Sequence, residues 1–66
     1  MKALVVSYHD AGWMVSGADE TAQGPYRTQE LAVSIAAHKA KWLRRGAVNV
    51  QIIVHDQTGR QVAAWP

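Results

Sequence analysis

Apolar and polar positions alternate most cleanly from Val48 to His55. Val48, Val50, Ile52 and Val54 fall on one side, and Asn49, Gln51, Ile53 and His55 on the other. A period of two is the mark of a strand with one face on a core. Lys2 to His9 alternates too, with Leu4, Val6 and Tyr8 opposite Ala3, Val5 and Ser7. β-Branched residues stand on both its faces, so this strand is expected to be central or covered on both sides. Asp10-Ala11-Gly12 follows and predicts a three-residue hairpin loop, Gly12 supplying the positive φ. Trp13 to Ser16 is then the return strand. Asp56-Gln57-Thr58-Gly59 predicts a second turn, with Arg60 to Trp65 closing that hairpin before Pro66.

The period changes between the hairpins. Gly17 to Arg27 has no apolar repeat and holds Gly17, Asp19, Gly24 and Pro25, which predicts a loop. Thr28 to Arg45 reads as a helix, because Leu31, Ala32, Ile35, Ala36, Trp42 and Leu43 share an arc of about 140°. Lys39 falls inside that arc, either laying its stem along the core edge or marking a narrower buried face. Thr28 suits the N-cap and Glu30 the first turn, where the helix dipole favours an anion. The capping box is incomplete, since Leu31 stands three residues after Thr28. Arg44, Arg45 and then Gly46 form the stop signal.

These elements predict one α+β domain spanning residues 1–66. Its architecture is expected to be β-hairpin, one α-helix, β-hairpin, forming a four-stranded, mainly antiparallel sheet with the helix on one face. The two turns resemble each other: each strand ends in His-Asp, at His9-Asp10 and His55-Asp56, and each turn ends in Gly. Strand order does not follow from the pattern.

The same residues carry a family resemblance. His9-Asp10-Ala11-Gly12-Trp13-Met14-Val15 resembles the His-x-x-Gly-Trp-x-Val opening of a family of small bacterial proteins, domain-of-unknown-function family 2188. Thr28-Gln29-Glu30-Leu31-Ala32 is similar to that family's helix start. Val54-His55 followed by Gly59-Arg60 resembles its closing segment. Leu31 stands where the family often has an acid, Thr58 where Asp usually precedes Gly-Arg, and the helix is about two residues longer than usual. The resemblance implies a strand–strand–helix–strand–strand domain and no particular activity.

Composition narrows the function. There is no cysteine, so disulfides, thiolate zinc sites and a cysteine nucleophile are excluded. No apolar run approaches the roughly 18 residues of a membrane helix, and Tyr8, His9 and Asp10 end the first run too early for a signal peptide. No membrane association is expected, and the cytoplasm is the expected location. Glycine-rich phosphate loops and nucleophile elbows are lacking, so neither an enzyme nor a cofactor is expected. A chain of 66 residues with no covalent staple is at the lower end of self-sufficient domains. Self-association is the usual support, and a homodimer is expected.

Three sets of residues are candidates for chemistry. Lys39, Lys41, Arg44 and Arg45 concentrate charge at the helix end in a chain of net charge +2. With Arg27, the residues Lys41, Arg44 and Arg45 are the candidate contacts to nucleic-acid phosphates; the same residues also suit the negative end of a helix. Trp13, Trp42 and Trp65 could stack on bases or anchor a partner, with Trp13 and Trp65 the candidate interface residues, but core filling is the first expectation for all three. His9 and His55, each beside an Asp, form a candidate metal or catalytic site if their strands run parallel as neighbours; otherwise the acids serve their turns. The leading expectation is a non-catalytic binding or assembly module that self-associates through a sheet edge, with Arg60 to Trp65 the candidate edge. Nucleic-acid binding comes second, and a metal or catalytic role third.

Overall fold

The computed structural model describes residues 2–17 and 20–65; Met1, Ala18, Asp19 and Pro66 lie outside the described residues. Its elements are β1 (Lys2–His9), β2 (Gly12–Gly17), β3 (Glu20–Tyr26), α1 (Gln29–Arg45), β4 (Val50–His55) and β5 (Gln61–Trp65). The sheet is five-stranded and mixed, in the order β3-β2-β1-β4-β5. β1 and β4 pair parallel, while the other three pairings are antiparallel. This corrects the four-stranded, mainly antiparallel expectation. The missing strand is β3, inside the stretch expected to be a loop. Gly24 and Pro25 hide it, because an irregular edge strand can carry residues that a central strand cannot. Its pairing with β2 shifts register twice between Trp13 and Gly17. The omission also reversed a direction. β3 runs the same way as β1, so a helix returning from its end delivers β4 parallel to β1.

One face of the sheet meets the helix. Leu4, Val6, Trp13, Val15, Val50, Ile52 and Val54 point to it and are buried. Across the pairings Val6 lies opposite Val15 on one side and Val54 on the other, so β1 is the spine of the core. Trp13 is 7% exposed and packs edge-on against Tyr8 with ring centroids 5.1 Å apart. It is a core residue; its place beside Tyr8 and Tyr26 turns it away from the surface expected of an interface residue.

The helix begins as its sequence implies. Thr28 is the N-cap, and its Oγ1 accepts from the Leu31 N–H at 3.1 Å. Gln29 Nε2 donates to the His55 carbonyl at 3.0 Å, pinning the first turn to the end of β4. The buried face differs from the expected arc. Ala32, Ala36 and Ala40 are its fully buried centre, with Val33, Ile35 and Leu43 beside them. Leu31 and Trp42 are exposed. Small residues at the centre let the helix backbone approach the sheet, where Leu4, Val6 and Val15 already fill the space. Lys39, which falls inside the expected arc, is half-buried.

The C-terminal stop is a Schellman motif displaced by one residue from the expected glycine. The Ala47 N–H donates to the Arg44 carbonyl at 3.0 Å and the Val48 N–H to the Leu43 carbonyl at 3.1 Å. Gly46 has φ −87°, and Ala47 takes the left-handed position at φ +62°. The first hairpin shows the same displacement. Asp10 and Ala11 hold φ +49° and +65° in a two-residue turn, while Gly12 is already in β2. Gly12 serves a close approach instead, since a Cβ there would lie 2.2 Å from the Pro25 Cβ of β3.

Two substitutions of opposite sign follow. Ala47→Gly relieves a left-handed alanine and is expected to stabilise the fold by about 0.5–1 kcal/mol. In a domain of this size that raises the melting temperature by about 2–8 °C. Gly12→Ala drives β3 off β2 and is expected to cost about 1–3 kcal/mol. Thermal denaturation followed by circular dichroism measures both.

Candidate functional site

A helix placed over β2, β1 and β4 leaves the helix-side surface of β5 uncovered. Beside it lies a groove of about 320 Å³, lined by Val33 of α1, Val54 of β4, and Val62, Ala63 and Trp65 of β5, with Gln29 and Glu30 of α1 at its polar side. Val62 is 55% exposed and Trp65 45%. The strand reads Gln-Val-Ala-Ala-Trp, with no charge and no proline along its open edge. Its one register shift falls at the turn end, between Val54 and His55 of the partner strand. β3, the other edge, carries Gly24, Pro25 and two register shifts. Prolines and bulges are the devices that keep an edge from pairing. Trp65, expected on an edge, ends the edge strand β5.

The basic residues separate into different places. Arg27 precedes the N-cap, at the opposite end of α1 from the other three. The Arg44 guanidinium donates to the Val50 carbonyl at 3.1 Å, tying the helix end to the start of β4. Lys41 and Arg45, one turn apart, stay on the outer face with His38 and Trp42 around a recess of about 130 Å³. The Trp42 indole N–H donates to His38 Nε2 at 3.1 Å, which places that ring's proton on Nδ1 in the neutral form. The Arg45 guanidinium carbon lies 5.1 Å from the Trp42 ring centroid, within cation–π range. Trp42 is 59% exposed. Sequence reasoning placed it first in the core and held base stacking as the lesser alternative. The signal was its spacing, since His38, Trp42 and Arg45 follow one another at helical intervals of four and three.

The parallel pairing of β1 and β4 does bring His9-Asp10 and His55-Asp56 to the same end of the sheet. Among the described residues, however, no three metal-ligating side chains come together. His9 Nε2 lies 3.1 Å from the Ser7 hydroxyl, on a shallow groove of about 450 Å³ that also takes in Asp10, Met14, Ser16 and Pro25. Asp56 is engaged in its turn. Its Oδ1 accepts from the Thr58 hydroxyl, from the Thr58 N–H at 2.8 Å and from the Arg60 N–H at 3.1 Å. The Thr58 hydroxyl bond, then the Arg60 N–H, holds its carboxyl below the ordinary value of 3.8. No helix among the described residues is long and apolar enough to cross a membrane.

Residues 4–64 match a family described as uncharacterised protein conserved in bacteria (DUF2188). No curated protein and no solved structure matches the chain.

Because folding lowers the Asp56 pKa, its contribution is present at pH values above the unfolded value and fades as pH falls through the folded one. Asp56→Ala is expected to lower the melting temperature at neutral pH. The gap to the unsubstituted chain should narrow steadily once the pH drops below about 4. Melting curves of both proteins from neutral pH down into the acid range provide the check.

Proposed function

We propose, from the premise that this chain belongs to the DUF2188 family of uncharacterised bacterial proteins, that it is a small non-catalytic assembly module whose copies join through β5. The observation that carries this reading is the difference between the two edges. β3 is guarded by Pro25 and its irregular register, whereas β5 is open, uncharged and flanked by apolar surface. Antiparallel pairing of two β5 strands about a two-fold axis satisfies the open backbone groups of both. The same pairing lets Val62 and Trp65 of each copy cover the groove of the other. A second chain thus supplies the apolar burial that a domain of this length has difficulty supplying alone. The groove at Ser7, His9 and Asp10 holds one exposed contact, His9 Nε2 to the Ser7 hydroxyl at 3.1 Å, which gives catalysis less support than the open edge gives assembly.

The test is the oligomeric state over a concentration series. Sedimentation velocity from low micromolar to about 1 mM should show a dimer whose dissociation constant rises at least about tenfold in Ala64→Lys and in Val62→Lys. Both variants should keep the native circular dichroism spectrum, because both side chains are exposed in the single chain. A chain that sediments as a monomer throughout the series would remove the reading.

A further inference from the structure

We infer that the outer C-terminal stripe of α1 is a binding site for single-stranded nucleic acid, with one base stacked on Trp42 and the adjoining phosphates met by Lys41 and Arg45. This is independent of pairing through β5, which uses the other flank of the helix, at Gln29 and Val33.

Charge supplies the first argument. Four of the seven cations lie between Lys39 and Arg45, and no acid occurs between Glu30 and Asp56. The other three cations and the five acids leave the rest of the chain net negative. Charge is uneven along the chain, and the end of α1 is its most basic stretch. Interaction with the helix dipole accounts for basic residues in the last turn. It does not account for Lys41 one turn earlier, nor for a large indole left in water beside it.

Geometry supplies the second. Among the described residues Trp42 is the most exposed of the large apolar side chains, and its position is held rather than loose. His38 accepts its N–H at 3.1 Å, and Arg45 lies over the ring at 5.1 Å. An exposed indole held by its N–H, with cations around it, is a stacking platform. Phosphate binding alone would need no indole, and bases paired inside a duplex offer no free face to one. The occupant is therefore a strand whose bases are unpaired, RNA or DNA. His38 adds a ring 6.4 Å from the indole, close enough to border the same nucleotide.

The test is fluorescence anisotropy with a labelled, mixed-sequence single strand of about 12 nucleotides. The matching duplex is run alongside, both at about 50 and 200 mM salt. The single strand should bind more tightly than the duplex. Two neutralised phosphates should give a slope of about −1.4 in log affinity against log salt. Trp42→Ala should lose roughly 5- to 150-fold in affinity while Trp42→Tyr keeps most of it. Lys41→Glu with Arg45→Glu should abolish binding at the lower salt. The monomeric Ala64→Lys chain should retain the site, so failure of the β5 reading and failure of this one are separable. No binding at about 50 mM salt overturns the inference. So does equal affinity for the duplex, or binding that Trp42→Ala leaves unchanged, since either would be bulk electrostatics alone.

Discussion

A single helix has to cover five strands, and the exposed surfaces follow from that shortage. α1 has 17 residues, which makes it about 26 Å long but only about 10–12 Å wide. Five strands spaced about 4.8 Å apart span about 19 Å between their outer axes. The helix can lie along the sheet but not across its whole width. It sits over β2, β1 and β4, where the buried residues are, and contacts β3 less. What remains uncovered is the helix-side surface of β5 and the whole opposite face. The alanine stripe belongs to the same constraint. With Ala32, Ala36 and Ala40 at the contact, the backbone of α1 approaches closely, and the large side chains come from the sheet.

That exchange of sizes explains which parts of the fold were legible in the sequence. β4 was plain, because its alternation of Val50, Ile52 and Val54 against Gln51, Ile53 and His55 is the direct image of a one-sided core. The helix ends were plain as well, since Thr28 and the Arg44-Arg45-Gly46 stop act through local chemistry. The helix face was not. A helical wheel weights Leu31 and Trp42 for size, whereas the packing selected residues for smallness, and both large side chains were left outside. β3 was invisible for a related reason. Its pairing depends on Gly12 making room for Pro25, a contact between residues 13 positions apart that no local pattern records.

The candidate sites divide along the same line. Trp65 could be placed on an edge from its position after the last turn. The Lys41–Trp42–Arg45 stripe was harder to place, because Trp42 falls on the helical arc that the wheel assigns to the core. Arg44 shows the converse. It is adjacent to Arg45 in sequence, yet the Val50 carbonyl draws it to the sheet side. The two His-Asp pairs look alike as sequence and serve different backbones. Asp10 occupies a left-handed turn position, while Asp56 organises a longer loop through three hydrogen bonds.

Symmetry ties the two exposed surfaces together. Antiparallel pairing of β5 with a second β5 requires a two-fold axis perpendicular to the sheet, which keeps the faces of the two sheets in common. Both helices then stand on one side of a continuous sheet, and both Trp42 stripes face the same half of space. Under the proposed binding, each stripe alone would offer a base platform and two cations, a weak contact. Two held at a fixed separation would then act on one strand with a high effective concentration, provided that strand can reach both. Self-association would thus do more than complete a small core. It would convert a marginal contact at each helix end into a bivalent one, with no further residue required of the chain.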